Sequence, residues 1–281
     1  MLPQTNFKNQ VNAVGGLVFL VVGGYLTWDL TRSREIAACS ARLGVATQMS
    51  FQKPDGSALS AAEFQARVGI SERGIIEKTS IKRDIGEKPL VLSVSLGGPV
   101  ADDTGAGFSW SLPGLSKAKS ACLSYNVFVP ADFAFGDGGT LPGLFGQANG
   151  QTGEGIPGGA VAGLSWSDQG GINLVVRYTG LAMPVEAYRQ TWWPSNATLP
   201  RGRWVRIEQE AVLNTPLTAD GVARIWVDGR LALEKLDVTW RGHPGVSWAG
   251  TQADIGYVAP ISSVDRKPTI LQLTPPQMSW Q

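Results

Sequence analysis

Several residue types that often define a functional class are scarce in this chain. Its 281 residues include two cysteines and one histidine. These are too few for a disulfide scaffold or for the usual zinc-ligand spacings. The sequence therefore predicts no metal site and no cofactor. It leaves open whether Cys39 and Cys122 form a disulfide or are two small buried side chains.

An excess of charge of either sign is also missing. Lys plus Arg number 24 and Asp plus Glu number 23, so the formal net charge is +1. Proteins that gather nucleic acid by counterion release need a concentrated basic surface. The balance of charge therefore predicts that nucleic acid is not a partner.

Long segments with the hydrophobic periodicity of a helix are few, whereas glycine and proline are abundant. The 35 Gly and 17 Pro indicate many tight turns between short strands. Alternating or β-branched runs without intervening helices predict an all-β fold, an antiparallel two-sheet sandwich. The predicted strands begin at Ile75-Ile76 and continue at 90–96, 125–129, 172–178, 204–213, 223–227 and 231–233. Asp228-Gly229, between the last two, predicts a two-residue hairpin turn.

One long uncharged run lies near the amino terminus. Residues 11–28 carry no charge and end in Tyr25 and Trp28, aromatic residues typical of a membrane interface. The run is about 27 Å long as a helix, at the short end of the range for a membrane span. The charged residues 29–35 follow it, in place of the small-residue cleavage site of a signal peptide. The sequence therefore predicts an uncleaved transmembrane helix at 11–30.

Glycine pairs within this run bear on its partners. Gly15-Gly16 and Gly23-Gly24 recur one heptad apart and so lie on one face of the predicted helix. They either form a packing face for other transmembrane subunits or are the ordinary glycine of a membrane helix. The lipid bilayer is the first partner that this segment implies.

The remaining chain divides by composition. Ser60 and Glu63 form a capping box that predicts one short helix. Residues 274–281 are predicted to form an irregular tail. The expected organisation is a tail at 1–10, a transmembrane helix at 11–30, a stalk at 31–74 and a β-sandwich at 75–281.

A strand and the turn after it form the most specific motif. The strand at 125–129 ends at Pro130, and the glycine-rich turn 136–139 leads into Leu-Pro-Gly-Leu at 141–144. This segment resembles polysaccharide lyase family 14, the alginate and glucuronan lyases, whose hallmark is Gly-Gly-Lys-Leu-Pro-Gly-Leu. The resemblance spans roughly residues 88–260 and implies a jelly roll like that of legume-type lectins. Further similar segments are 202–209, 213–216 and 220–230.

The resemblance also implies a set of catalytic positions. In the family, a Lys in the motif, a Ser-x-Arg pair and a Tyr-x-Tyr pair carry out β-elimination. Here Thr140 stands at the Lys position. The nearest counterparts of the other pairs are Ala160 with Ala162 and Val176 with Tyr178. Elimination beside a uronate carboxylate needs a cation, a base and an acid, so these replacements argue against it.

Other residues are candidates for a relocated or non-catalytic site. If the chain is active, Tyr178, Arg177 and His243 are the expected base and cation set. Trp192 and Trp193 either stack on sugar faces, fill the core or contact a partner protein.

The sequence thus favours a membrane-anchored, non-catalytic β-sandwich, acting as a structural or binding subunit of a larger membrane complex. A membrane-anchored uronate lyase and a carbohydrate-binding module are the alternatives. Basic residues flanking a membrane helix tend to lie on the cytoplasmic side. One basic residue, Lys8, precedes the apolar run and two, Arg32 and Arg34, follow it, so this count favours a cytoplasmic domain. The resemblance favours an extracytoplasmic, periplasmic domain, which is the expectation adopted.

Overall fold

The computed structural model describes residues 36–43, 45–68, 74–83, 90–97, 105–148, 159–178, 189–242, 244–258 and 268–281. The predicted transmembrane helix, its glycine pairs and His243 lie outside these residues. Among the residues described, no helix has the length and apolar character needed to cross a membrane. Residues Ala37–Gln281 form one compact unit.

Short strands dominate the described chain. The helices are α1 (Cys39–Arg42), α2 (Ala61–Val68), α3 (Ile75–Lys78) and a 3-10 helix (Pro113–Lys117). The strands are β1 (Val45–Gln48), β2 (Thr79–Arg83), β3 (Leu90–Leu96), β4 (Gly105–Ser111), β5 (Ser120–Val129), β6 (Gly139–Ala148), β7 (Ala160–Trp166), β8 (Gly171–Tyr178), β9 (Arg189–Thr198), β10 (Arg203–Val212), β11 (Gly221–Val227), β12 (Arg230–Val238), β13 (Val246–Tyr257), β14 (Thr269–Leu273) and β15 (Gln277–Trp280).

The described strands form two antiparallel sheets, which confirms the predicted β fold. The nine-stranded sheet has the order β12-β11-β10-β5-β14-β3-β2, with β15 pairing β5 and β1 pairing β15. The six-stranded sheet has the order β4-β13-β6-β7-β8-β9. Alternate residues of the facing strands form a single apolar core between the sheets. Every strand therefore turns one set of side chains inward and the other set away from the opposite sheet.

The segment expected to form a stalk contributes to this core. Phe51 and Phe64 are fully buried, with ring centroids 5.6 Å apart, and Phe64 also contacts Phe108 of β4 at 5.3 Å. The capping box is confirmed, since the Ser60 amide donates to Glu63 and the Glu63 amide donates to the Ser60 hydroxyl. The helix is therefore positioned by its cap and by the apolar side chains of its inner face.

Two local predictions were wrong. The first is the strand at Ile75-Ile76, where the chain forms α3, which buries Ile75 and exposes Ile76. The second is the irregular tail, because β15 lies between β1 and β5 and buries Met278. Both segments are too short for periodicity to separate helix, strand and loop.

Asp228-Gly229 forms the predicted hairpin turn between β11 and β12. Both residues have positive φ, 50° and 77°, as the twist of a two-residue turn requires. The Asp228 carboxylate accepts from the Arg206 amide at 2.9 Å, which ties the turn to β10.

Cys39 and Cys122 form a disulfide that joins α1 to β5. The surrounding contacts also hold α1 on the outer face of the nine-stranded sheet. The Ser40 amide donates to Glu208 at 3.0 Å, and Arg42 donates to Glu210 at 2.7 Å. The disulfide alternative that the sequence left open is thus the one the structure adopts.

Candidate functional site

The Leu-Pro-Gly-Leu motif forms an irregularity in β6. The pairing of β6 with β7 shifts between Leu141 and Leu144, so Pro142 and Gly143 leave the regular ladder. Their carbonyl oxygens are satisfied by buried side chains: the Tyr125 hydroxyl donates to Pro142 at 3.1 Å and the Thr251 hydroxyl to Gly143 at 2.9 Å. Burial raises the pKa of the Tyr125 phenol, so the hydroxyl stays protonated and can donate this hydrogen bond. The motif therefore has a structural function here.

A second buried hydrogen bond joins the two sheets beside the motif. The Gln209 side chain on β10 donates to the Ala162 carbonyl on β7 at 2.9 Å. Because Tyr125 and Gln209 belong to one sheet and their acceptors to the other, these bonds fix how the sheets face each other.

The glycine-rich turn brings β6 into close contact with its neighbours. A side chain at Gly139 would overlap the Trp166 ring and the Gly256 carbonyl oxygen. Gly138 has φ 107°, a conformation that residues with a Cβ rarely adopt. The turn thus fixes where β6 begins and therefore where Thr140 lies.

The structure corrects which side chains of β7 and β8 are available for function. Ala160, Ala162 and Val176, the positions interpreted as degenerate catalytic residues, are buried in the core. Because side chains alternate, the neighbours Val161, Gly163 and Val175 occupy the face turned away from the other sheet. The side chains of Ala160, Ala162 and Val176 are therefore not available on that face.

A row of neutral polar side chains crosses three strands on this outer face. Thr140 of β6 pairs with Ser165 of β7, which pairs with Asn173 of β8. Neighbouring strands lie about 4.8 Å apart, so the row is about 10 Å long. The sequence interpretation missed Ser165 and Asn173 because it followed the inward-facing register; the strong apolar pattern of Leu164, Trp166 and Leu174 was the signal that could have corrected it.

The Thr140 hydroxyl is already engaged by the backbone. It donates to the carbonyl oxygens of Asp254 and Gly256 in the adjacent strand β13. The Thr140 side chain therefore bridges β6 and β13 and carries no charge.

The proposed base and cation set is divided between the two faces. Tyr178 packs against the core, whereas Arg177 is exposed on the outer face, as adjacent strand residues must be. Arg177 pairs with Gln190 of β9 and Val161 of β7. The structure does not bring Tyr178 and Arg177 together.

The two tryptophans of β9 have different surroundings. Trp192 pairs with Val175 on the outer face, and 57% of its surface is exposed. Trp193 packs against the core, with the Lys235 ammonium 5.4 Å from its ring centroid. Only Trp192 of this pair therefore offers a flat apolar surface to a ligand on the outer face.

A group of possible metal ligands lies elsewhere. The sulfur atoms of Cys39 and Cys122 and a Glu208 carboxylate oxygen lie within 4.8 Å of one another. The sulfurs are joined in a disulfide, and Glu208 accepts hydrogen bonds from Arg206 and Ser40. In this state the group does not offer the thiolates that a soft metal requires.

Comparison with known proteins finds a family profile that matches the part of the chain containing the motif and the row. The profile of the Polysaccharide lyase 14 family matches residues 93–177. The chain contains a polysaccharide lyase 14-like domain. The matched segment includes the strands that carry Thr140, Ser165 and Asn173.

Solved structures extend the similarity of the polysaccharide lyase 14-like domain over most of the chain. The PL-14 alginate lyase from Aplysia kurodai is 18% identical with a TM-score of 0.65, covering 85% of this chain and 99% of that chain. An alginate lyase from a Chlorella virus is 20% identical with a TM-score of 0.58, covering 73% and 89%. An endo-β-1,4-glucuronan lyase from Trichoderma reesei is 11% identical with a TM-score of 0.55, covering 75% and 90%.

At these low identities, the structural similarity shows the fold of the polysaccharide lyase 14-like domain and nothing further. Comparison with curated proteins by sequence gives no match.

Proposed function

We propose that the polysaccharide lyase 14-like domain binds a glycan chain across the outer face of the six-stranded sheet and does not cleave it. We further propose that it does so as a membrane-anchored accessory subunit of a larger complex. The observation that carries the proposal is the neutral row of Thr140, Ser165 and Asn173 on that face, which includes the residue that resembles the family's Lys position.

Elimination requires stabilisation of negative charge that develops beside the uronate carboxylate. A cation or a set of preorganised donors supplies this, usually as the largest catalytic contribution. The Thr140 hydroxyl cannot do so, since it is neutral and donates to backbone carbonyls. Of the tyrosines in the described residues, Tyr125 and Tyr257 donate to carbonyl oxygens and Tyr178 packs on the core.

Glycan binding needs fewer specialised groups than catalysis does. An exposed aromatic ring provides the apolar surface on which a sugar ring packs, and amide or hydroxyl groups beside it bind sugar hydroxyls. Trp192 lies on the same face as the half-buried Asn173, one row further along the strands, whereas Ser165 beside Asn173 is only 8% exposed. Such a surface binds an extended chain without a deep pocket.

The proposal includes an amino-terminal membrane anchor and a domain outside the cytoplasm. Residues 11–30 have the composition of a single membrane span. The Cys39–Cys122 disulfide supports an extracytoplasmic, periplasmic domain, because disulfides persist in oxidising compartments. Fractionation of native membranes followed by protease treatment of intact spheroplasts tests this: the domain should be digested. Protection of the domain until lysis would contradict it.

Glycan binding is tested by screening the full chain, purified in detergent, against immobilised glycans. We expect Trp192→Ala to weaken the binding found by at least about tenfold, because the stacking surface is lost. Leu236→Ala is the matched control, since Leu236 is similarly exposed, at 51%, but lies on β12 of the other sheet. Equal loss in both variants, or binding to no glycan, would contradict the proposal.

Uronate lyase activity is the second candidate. It is favoured by the match of the Polysaccharide lyase 14 profile across β4 to β8 and by Arg177, an exposed cation on the outer face. In that case Arg177 would neutralise the substrate carboxylate. Release of unsaturated uronates from alginate or glucuronan, lost in Arg177→Ala, is the result that would establish this candidate.

A further inference from the structure

The disulfide between α1 and β5 lies beside a buried carboxylate of β10. We infer that, once this disulfide is reduced, the thiolates of Cys39 and Cys122 and the carboxylate of Glu208 form a zinc site. The two sulfur atoms and a Glu208 oxygen lie within 4.8 Å of one another, and all three residues are buried. The metal then joins α1 to β5 and β10 in place of the covalent link.

The distances suit a tetrahedral zinc ion with sulfur and oxygen ligands. Zinc binds thiolate sulfur at about 2.3 Å and carboxylate oxygen at about 2.0–2.2 Å, so a sulfur and an oxygen on one ion lie about 3.6 Å apart. In the disulfide form Cys39 Sγ and Glu208 Oε2 are 3.9 Å apart. A small side-chain adjustment therefore brings both atoms within reach of one metal ion. Zinc with three protein ligands takes water at its fourth position.

Glu208 is already held in the orientation that a metal ligand needs. Arg206 Nε donates to its Oε1 at 2.7 Å, and the Ser40 amide donates to its Oε2 at 3.0 Å. Hydrogen bonds of this kind orient the carboxylates that bind metals and strengthen the site. Because Oε2 faces the Cys39 sulfur, a metal bound by both atoms lies between them.

Ion pairs beside the disulfide favour a divalent cation there once it is reduced. They contain three arginines and three glutamates, whose formal charges cancel: Arg42, Arg206, Arg224, Glu208, Glu210 and Glu234. Two thiolates alone would add two buried negative charges, which is costly. A zinc ion cancels both charges and so restores the balance of the disulfide form. Two neutral thiols also preserve it, so zinc competes with two protons for the reduced pair.

Zinc binding requires that the disulfide be reduced first, since the thiolate is the metal ligand. A dithiol supplies two electrons and two protons to the disulfide and is itself oxidised to a disulfide. Zinc then displaces the two thiol protons. Disulfides persist in oxidising compartments, so the zinc site belongs to the chain that a dithiol has reduced.

The test is competitive titration of the untagged full chain, purified in detergent, with Zn²⁺ against a chromophoric chelator. The chain is reduced without oxygen by a phosphine, because a dithiol would itself bind zinc. We expect one equivalent of zinc to bind per reduced chain and none to bind the disulfide form with the same affinity. Glu208→Gln should bind at least about tenfold more weakly, because a charged ligand is lost. Glu234→Gln is the matched control, since it removes the same charge from an ion pair with Arg224 and should keep the native affinity.

Urea unfolding of the reduced native chain shows whether the metal binds the folded state. A ligand that binds the folded chain in preference to the unfolded chain raises the unfolding midpoint. We expect zinc to raise the midpoint of the reduced native chain and to leave that of the Cys39→Ser, Cys122→Ser double variant unchanged. This measurement needs no change at Glu208, so it stands even where Glu208→Gln fails to fold.

Three results would each overturn the zinc site. The first is a reduced native chain that binds less than one equivalent of zinc. The second is equal affinity of the native chain and a folded Glu208→Gln variant, which would show that the carboxylate is not a ligand. The third is zinc binding that leaves the urea midpoint of the reduced native chain unchanged, because the thiols would then bind metal without the folded arrangement.

Discussion

Gly139 shows how one residue positions the candidate site. A Cβ there would overlap the Trp166 ring and a carbonyl oxygen of β13, so Gly139→Ala should cost about 1–3 kcal/mol of unfolding free energy. Gly163→Ala is the matched control on the neighbouring strand, because its Cβ would meet nothing closer than 3.6 Å. Thermal unfolding of the full chain followed by tryptophan fluorescence measures both. A Gly139→Ala variant as stable as Gly163→Ala would contradict the packing described.

The charge of Glu208 should make the stability of the fold depend on pH. Burial alone would raise the pKa of its carboxyl, but hydrogen bonds from Arg206 and Ser40 outweigh burial and lower the pKa below its ordinary value of 4.5. A lowered folded-state pKa contributes stability above pH 4.5, which is lost as the pH falls through the folded-state pKa.

The native chain should therefore exceed Glu208→Gln in unfolding free energy by about 2 kcal/mol at neutral pH. The difference should disappear in acid. Urea unfolding of both chains across this pH range measures it, with Glu234→Gln, at a more exposed ion pair, as control. A difference that stays constant with pH would contradict the assigned role of the charge.

At the scale of elements, the fold was more predictable than the site. Alternation and turn residues predicted β8, β10, β11 and the 228–229 hairpin, because these elements depend on local pattern. The faces of β7 and β8 were harder, because a one-residue error in register turns every side chain to the opposite face. The assignment of Thr140 to the family's Lys position rests on the glycines before it and Leu-Pro-Gly after it, and it stays a prediction.

The carboxyl-terminal strand β15 should contribute to the stability of the fold. Sequence suggested an irregular tail, since the pairing of 277–280 with β1 and β5 involves residues far away along the chain. Met278 is fully buried there, so Met278→Ala should cost about 2–5 kcal/mol of unfolding free energy. Gln277→Ala, on the less buried side of the same strand, should change it by less than about 0.5 kcal/mol. Equal unfolding midpoints in urea for the two variants would contradict this pairing.

For the whole molecule, the Cys39–Cys122 disulfide links positions 83 residues apart. The chain-entropy model gives about 4–5 kcal/mol for a loop of this length, because the cross-link restricts the unfolded chain. Reductant should therefore lower the urea midpoint of the full chain markedly. The Cys39→Ser, Cys122→Ser double variant should match the reduced chain and be insensitive to reductant. Identical midpoints with and without reductant in the native chain would contradict a stabilising role for the disulfide.

The whole molecule combines a lyase-like fold with a row of neutral side chains at Thr140, Ser165 and Asn173 on the outer face of the six-stranded sheet. The motif at 136–144 is retained because it forms the turn and the buried hydrogen bonds between the sheets. Those structural requirements do not depend on a Lys at position 140.

The central claim is that this face binds a glycan without cleaving it. Prolonged incubation of the full chain with alginate and with glucuronan, followed by ultraviolet absorbance of unsaturated uronates, tests it most directly. We predict no increase in absorbance above that of substrate alone. An increase that is proportional to the amount of protein and is abolished by Arg177→Ala would contradict the claim.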